Sequence, residues 1–538
     1  MPHPLLPAEV QDDYRRRGHW EDRTLASIVA EQVARDSDRT AITGPRRLSY
    51  GELWDESCRL AGSLHAAGIK PGEFLVALLS SSWQGIVLEL AAVIAGVALA
   101  PRTAQLSPLG TLTLMDQLGG RGLILQADLG GRPEWQEALP GLKDRLRGLP
   151  LLVQGEVPEG SPFAGLPTLE GAIERGPAID AVGMDPGSPC LVLSTGGTTG
   201  KPKSIVHCAN TLVFAARSFG LGTDYRETDV QVSFMPYGHA GGSVFDVYMP
   251  LLYGGSILPV SRWQPLPVAE AIDRWGGTFF ITMGTHVFDL LALGPEVDPL
   301  LRSIRLITSG AGPDDLYVDG EARFGFGIVR VYGCSEVPGH AIGRPSDPGD
   351  LRWHRDGVPF EGLEYRIVDQ ATGAPAGPGT AGEYQVRGPN LFMGYHGQPE
   401  LTAEAVTPDG FYRSGDLLVE SGDGYITWSG RTKDIIRRGG IQLDPVEMEN
   451  ILASEAQLSE VVVVGEPHPR LGETAVIVAV AAAGQSPTLE TLCAHLMAHG
   501  IPKQNLPERL VLTSAIPRTE LGKFHRVEVK TRLLDGRL

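Results

Sequence analysis

The sequence predicts an α/β protein with three parts. These are a large N-terminal domain of parallel α/β subdomains, a small β subdomain within it, and a small α+β domain at the C-terminal end. Three observations carry this prediction. From residue 24 to residue 331, apolar helical patterns alternate with short apolar runs of strand length. That is the rhythm of helices packed on a largely parallel sheet. Between Leu363 and Trp428 strand-length segments are separated by Gly- and Pro-rich turns. Residues 433–538 return to mixed helix and strand patterns, enough chain for a separate small domain.

In chain order, Thr24 stands before Leu25, Ile28, Val29, Gln32 and Val33, an N-cap followed by a helix over 24–35. Residues 50–67 repeat the helical pattern and stop at Gly68. Residues 74–79 read as a strand, 83–95 as a helix and 99–101 as the end of another strand. The apolar run 189–193 feeds the loop Ser194-Thr195-Gly196-Gly197-Thr198-Thr199-Gly200-Lys201-Pro202-Lys203. Four later strand-like runs open in the same way into small or polar residues. Residues 230–235 lead to Pro236-Tyr237-Gly238-His239-Ala240-Gly241-Gly242, and 279–283 to Gly284-Thr285-His286. Residues 304–308 lead to Ser309-Gly310-Ala311-Gly312-Pro313, and 328–331 to Tyr332-Gly333-Cys334-Ser335-Glu336. Binding loops lie at the carboxyl ends of strands in such folds, so these loops are expected to line one cleft. Strands follow at 365–368, 383–386 and 424–428. The C-terminal part shows a helix near 445–452, strands at 461–464 and 475–480, and a helix near 489–499.

Composition narrows the function. The chain carries 46 Lys and Arg against 64 Asp and Glu, a formal charge of −18. So acidic a chain is a poor general binder of nucleic acid or anionic membranes. Its five cysteines (Cys58, Cys190, Cys208, Cys334, Cys493) are scattered, which fits a reducing compartment and gives no zinc signature. The N-terminal twenty residues are polar and not a signal peptide, and the longest apolar run, 90–100, is too short to span a bilayer. The cytoplasm is the expected compartment.

The 194–203 loop holds three glycines, four hydroxyl residues and two lysines. Glycines let backbone N–H groups approach a polyanion, and hydroxyls and ammonium groups add donors. The loop suits the phosphates of a nucleotide; taken alone it is equally consistent with a surface turn. It is not a Walker loop, because Thr195 stands where that pattern needs Gly and Pro202 follows Lys201.

These landmarks, in this order, resemble the acyl- and aryl-adenylate-forming superfamily of acyl-CoA synthetases, adenylation domains and firefly-type luciferases. The 194–203 loop resembles its Thr-Ser-Gly-Thr-Thr-Gly-x-Pro-Lys signature, with Gly196 for Ser. Tyr332 to Glu336 is similar to Tyr-Gly-x-Thr-Glu, and Tyr412-Arg413-Ser414-Gly415-Asp416 to Tyr-Arg-Thr-Gly-Asp. Gly430-Arg431 through Glu447 resembles the hinge motif, and Pro517-Arg518-Thr519-Glu520-Leu521-Gly522-Lys523 the final lysine motif. Within the superfamily the likeness is nearest to aryl-acid AMP ligases of the 2,3-dihydroxybenzoate type. Tyr14 to Trp20, Arg438-Gly439-Gly440 and the spacing from His499 to Pro507 carry it. One departure stands out. Those ligases usually have Ala-His-Asn where this chain has Gly238-His239-Ala240, and their Asn contacts a ring hydroxyl. A 2-hydroxybenzoate substrate is therefore not expected.

The resemblance implies a reaction in two halves: a carboxylate displaces pyrophosphate from ATP, and a thiol then displaces AMP. It implies Lys523 as the adenylation catalyst, Ser335 on the α-phosphate and Glu336 as the Mg²⁺ ligand. Thr195, Gly196, Gly197, Thr198, Thr199, Gly200 and Lys203 would hold the outer phosphates. Gly310, Ala311, Tyr332 and Gly333 would flank the adenine, with Asp416 on the ribose hydroxyls and Arg431 beside it. His239 would gate the acid pocket, lined by Ala240, Gly241, Met283, Gly333, Val337 and Pro338. These residues are small or apolar, and no Asp in 236–242 meets an α-ammonium, so a hydrophobic acid is expected rather than an amino acid. Lys433 would be the hinge between residues 1–432 and a mobile 433–538 domain, and Gly439 and Gly440 would border the thiol path. The expected acceptor is coenzyme A; a carrier-protein phosphopantetheine in trans is the alternative. A nucleotide-binding regulator without turnover is an alternative of another class.

Overall fold

The computed structural model describes residues 3–194, 203–310, 312–369, 372–438, 441–519 and 522–538. Two large sheets form the body of the molecule. In the first, the strands Gly327–Tyr332, Leu306–Gly310, Phe279–Met283, Val230–Ser233, Ser256–Pro259 and Thr40–Ile42 run parallel in that spatial order, with short antiparallel strands at both edges. In the second, Leu151–Gln154, Leu123–Gln126, Phe74–Leu78, Ala98–Arg102 and Pro189–Ser194 run parallel in that spatial order. Strands covered on both faces bury every residue, which is why Phe279–Met283 and Ala98–Arg102 read as mainly apolar runs rather than alternating ones.

The helix Trp83–Ile94 shows the same logic. It is buried from Gln84 to Ile94, and its side chains belong to the core shared by the two sheets. A helix that is apolar on nearly every side, here with only Gln84 and Glu89 as polar exceptions, has no solvent face. The apolar run 90–100 is thus the end of this helix plus the next strand. Thr24 caps Leu25–Arg35 through Ser27, and Ser49 caps Tyr50–Ala66 through Glu52, each by a reciprocal capping box. Among the described residues no helix is long and apolar enough to cross a membrane.

The structure adds an element that the sequence reading did not assign. The strand before the 194–203 loop is followed by Ser204–Cys208, paired antiparallel with it from Ser194↔Ser204 to Pro189↔Cys208. The loop therefore closes a hairpin at the edge of the second sheet. Beyond it, Gly394–Tyr395 adds a further antiparallel strand to Ser204–Cys208.

A third, antiparallel sheet contains Glu364–Val368, Gly382–Arg387, Tyr412–Glu420 and Ile426–Arg431. The segment 412–416, read from sequence only as a motif, is the start of a long strand here. The C-terminal residues build a fourth sheet around the hairpin Leu458–His468 and Gly472–Ala481. Its two faces carry separate apolar cores, one with Leu452, Ile477 and Leu492 and the other with Val478, Val529 and Leu533.

Candidate active site

The parallel strands of the first sheet deliver three predicted site residues side by side. Met283 pairs in register with Gly310, and Tyr332 ends the next strand. A Cβ on Gly310 would lie 3.4 Å from Met283 Cε, so the glycine leaves this strand end flat. The second sheet approaches from the other side. Ser194 N–H donates to Gly238 O at 2.8 Å, and Ser335 Oγ–H to Ser194 O at 3.4 Å. The root of the 194–203 hairpin, the 236–242 loop and the 333–339 loop thus meet. Residues 195–200, Ala311, Gly439 and Gly440, all expected at the site, lie outside the described residues.

The 333–339 loop folds tightly back on itself. A Cβ on Gly333 would fall 2.8 Å from Gly339 N, so this position has room only for glycine. Buried imidazoles hold the loop at two points. His207 Nε2 bonds Ser335 O at 2.7 Å, and His340 Nε2 lies 3.4 Å from Cys334 Sγ. Burial pushes His207 down to about 4 and His340 to about 3, so both rings are neutral at pH 7. The Glu336 and Pro338 carbonyls accept from Phe392 N and Asn390 Nδ2, each at 2.8 Å. Val337 is fully buried in the shared core.

Asp416 is the second centre. It is 6% exposed and faces Arg431 across the hairpin of the third sheet. Tyr332 O–H donates to its Oδ2 at 2.8 Å, and Arg431 Nε to its Oδ1 at 3.1 Å. The carboxylate in turn raises the Arg431 guanidinium above its ordinary value.

Glu336 is the third. Its Oε1 accepts from Tyr395 O–H at 2.8 Å, and Lys203 Nζ donates to the same phenol oxygen at 3.4 Å. Among the described residues no cluster of three or more His, Cys, Asp or Glu stands ready to enclose a metal. A lone carboxylate near a phosphate-type loop suits Mg²⁺, which keeps waters and substrate phosphates and takes only one or two protein carboxylates.

Lys523 comes to this site from the fourth sheet's domain. Its turn is closed by Thr519 N–H to Lys523 O at 2.7 Å and Gly522 N–H to Thr519 O at 2.9 Å. A Cβ on Gly522 would lie 2.9 Å from Thr285 Oγ1, so the turn is seated against the first turn of the helix Gly284–Leu291, which follows Phe279–Met283 directly where the sequence reads as a loop. Lys523 is an exposed residue by its accessible surface, yet protein atoms crowd closely around its ammonium. Loss of hydration and the nearby Arg431 charge pull its ammonium down to about 8, against the pull of Asp416. Burial, Arg102 and Lys523 together push His239 down to about 4, leaving a neutral imidazole. Lys433 is lowered too, by desolvation and then by Arg431, with Lys203 among the further causes.

Lys523, Asp416, Arg431 and His239 therefore share one field, and Lys203 and Lys433 stand at its margin. Ala240 and Gly241 lead into the π-helix Gly241–Tyr248, and a Cβ on Gly241 would meet Met235 Cε at 3.2 Å. Sequence reasoning missed His207, His340, Tyr395 and Arg102. None carries a local signal, because each acts through a contact made only after folding.

Comparison with known proteins places these features in context. The family described as AMP-binding enzyme matches residues 29–396, and AMP-binding enzyme C-terminal domain matches 447–523. The chain is 30% identical to a salicyl-AMP ligase / salicyl-S-ArCP synthetase of Mycobacterium tuberculosis, over 98% of this chain and 94% of that one. It is also 30% identical to a long-chain-fatty-acid–CoA ligase of Thermus thermophilus, over 96% of both chains. The ATP-bound crystal structure of MatB from Rhodopseudomonas palustris shares the fold, with a TM-score of 0.86, 23% identity, and coverage of 95% of this chain and all of that one.

Proposed function

Because the chain belongs to the AMP-binding enzyme family and is an AMP-forming acid ligase of the adenylate-forming superfamily, near the aryl-acid ligases, we propose that it adenylates a hydrophobic acid of aryl, alicyclic or polycyclic type and passes the acyl group to coenzyme A. The observation that carries this reading is the convergence of Lys523 with Asp416, Arg431 and His239. Membership of an enzyme family sets aside the non-catalytic regulator.

In the first half-reaction the nucleophile is the substrate's own carboxylate oxygen, so the protein's work is positioning and charge neutralisation. The acid lies against Met283, Ala240, Gly241, Gly333, Val337 and Pro338, beside the neutral ring of His239. Asp416, held from both sides, receives the ribose hydroxyls, and Arg431 supports it. Tyr332 and Gly310 flank the adenine. Lys523 bridges the attacking carboxylate and the α-phosphate, with Ser335 donating to the same phosphate. As the oxygen–phosphorus bond forms, the bond to pyrophosphate breaks, and Lys203 meets the charge that leaves. Glu336 would hold Mg²⁺, which when bound supplies charge neutralisation on the phosphates.

In the second half-reaction, rotation at Lys433 moves Lys523 away and admits a thiol. Residues 433–538 are the moving body in this proposal and 1–432 the fixed one. The enzyme is placed in the cytoplasm, where ATP and coenzyme A are at hand.

A second reading has one observation in its favour. The Mycobacterium tuberculosis relative is named for loading an ArCP thiol. The test of both is ATP–pyrophosphate exchange against aryl, alicyclic, polycyclic and straight-chain acids, followed by thioester assays with coenzyme A and with a phosphopantetheinylated carrier. Exchange is expected with hydrophobic acids and not with amino acids. Exchange confined to amino acids would overturn the substrate class, and thioester formed only on the carrier would select the second reading.

A further inference from the structure

Tyr395 lies in none of the motifs above, yet it stands where three chain segments meet. The strand Gly394–Tyr395 pairs with Ser204–Cys208 just after the 194–203 hairpin loop. Tyr395 N–H donates to Thr402 Oγ1 at 3.0 Å, and its ring packs edge-on against Phe392, 5.0 Å between centroids. Backbone and ring are both fixed, and the residue is 4% exposed. A buried phenol requires hydrogen-bond partners.

The partners here are oppositely charged. The single phenolic hydrogen goes to Glu336 Oε1 at 2.8 Å, and a lone pair of the oxygen accepts from Lys203 Nζ at 3.4 Å. Lys203 Nζ also stands 4.6 Å from the ring centroid, within cation–π range. The tyrosine oxygen thus sits between a carboxylate and an ammonium that would otherwise be free to pair with each other.

Resting on the reading of Glu336 as metal ligand and Lys203 as phosphate ligand, we propose that Tyr395 is the positioning residue of the triphosphate site. It keeps the anion and the cation as separate ligands, one for a divalent ion and one for a phosphate. Tyr395 itself touches neither. Its position is set by its antiparallel pairing with Ser204–Cys208, so Lys203 and the metal ligand are held to one scaffold.

The test needs no acid substrate. ATP binding to the full chain is measured by calorimetry in Mg²⁺ and in EDTA, and the ratio of the two affinities reports the metal's contribution. Tyr395→Phe keeps the ring and deletes the oxygen. The ratio is expected to fall about tenfold, the scale of a lost hydrogen bond to a charged group. Glu336→Gln should lower the ratio similarly, and the double variant should fall no further than Glu336→Gln alone. Lys203→Met should weaken ATP equally in both conditions.

If Glu336→Gln keeps the wild-type ratio, the reading of Glu336 as metal ligand fails. If Glu336→Gln loses it while Tyr395→Phe keeps it, the reading stands and the role of Tyr395 is overturned. Additive losses in the double variant would overturn it too. Melting temperatures check that each variant is folded. Should Tyr395→Phe not fold, Thr402→Val, which frees the Tyr395 N–H, is expected to lower the ratio in the same direction, and a wild-type ratio there overturns the proposal.

Discussion

Tyr332 O–H donates to Asp416 Oδ2 at 2.8 Å, joining the end of a parallel strand in the large sheet to a hairpin of the small antiparallel one. With Arg431 on the other oxygen, the carboxylate is held from both sides by the protein itself. Asp416→Asn removes the charge that Arg431 answers. The expected result is a loss of AMP and ATP affinity of about tenfold or more, with Tyr332→Phe showing a smaller loss. Calorimetry with AMP checks it; wild-type AMP affinity in Asp416→Asn would sink the ribose assignment.

Lys523 titrates near 8, so its ammonium is present below that value and lost above it. Pyrophosphate exchange should fall as pH rises through about 8, by about tenfold per unit once the neutral amine dominates. Lys523→Ala should lose adenylation while still binding ATP. A flat rate profile across this range, or near-normal exchange by the alanine variant, contradicts the assignment.

Gly522 adopts φ +75° and leaves no room for a Cβ beside Thr285 Oγ1. Gly522→Ala meets both backbone strain, about 1–2 kcal/mol, and this contact. Adenylation is expected to slow by about tenfold or more, while thioester formation from pre-formed acyl-AMP should be spared if, as proposed, the 433–538 domain rotates this turn away from Thr285. Single-turnover assays of the two half-reactions separate these outcomes.

Lys433→Pro tests the proposed hinge. A fixed φ at a position that must rotate should spare adenylate formation and slow thiol transfer. Equal loss in both half-reactions would count against a hinge there.

Acid lability should follow from the buried histidines. His207 is held near 4 and His340 near 3, against about 6.5 in the unfolded chain. Between those values the unfolded chain binds protons that the native state does not, so stability rises with pH across the window and is lost on acidification. Once fully titrated, His207 contributes about 3 kcal/mol of this loss and His340 about 5 kcal/mol. Urea unfolding from pH 7 down to about pH 4 should show the decline. His207→Gln, which keeps a donor for Ser335 O, should flatten it by about one proton; an unchanged slope rejects the assignment.

Much of the fold is legible in the chain because its determinants are local. Thr24 and Ser49 announce helix starts by their own side chains, and fully buried strands declare themselves as apolar runs. The hairpin at 189–208 was not legible, because an apolar strand reads the same whether its partner is parallel or antiparallel. The same limit hid Tyr395, His207 and His340, whose partners Glu336, Ser335 and Cys334 come from another strand's end or from a tight turn of the same loop.

By itself the sequence determined the α/β class, the order of the strand-end loops, and the chemical types offered to a nucleotide: hydroxyls, glycines, two carboxylates and the lysines. These follow from residue identity and spacing along one chain. Only the tertiary structure decided which of them act together. It set Asp416 between Tyr332 and Arg431, placed a phenol between Glu336 and Lys203, and carried Lys523 into their field. Hydrogen bonds fade within a few ångströms and charge effects within about 10 Å, so both depend on distance in space, which separation along the chain does not encode.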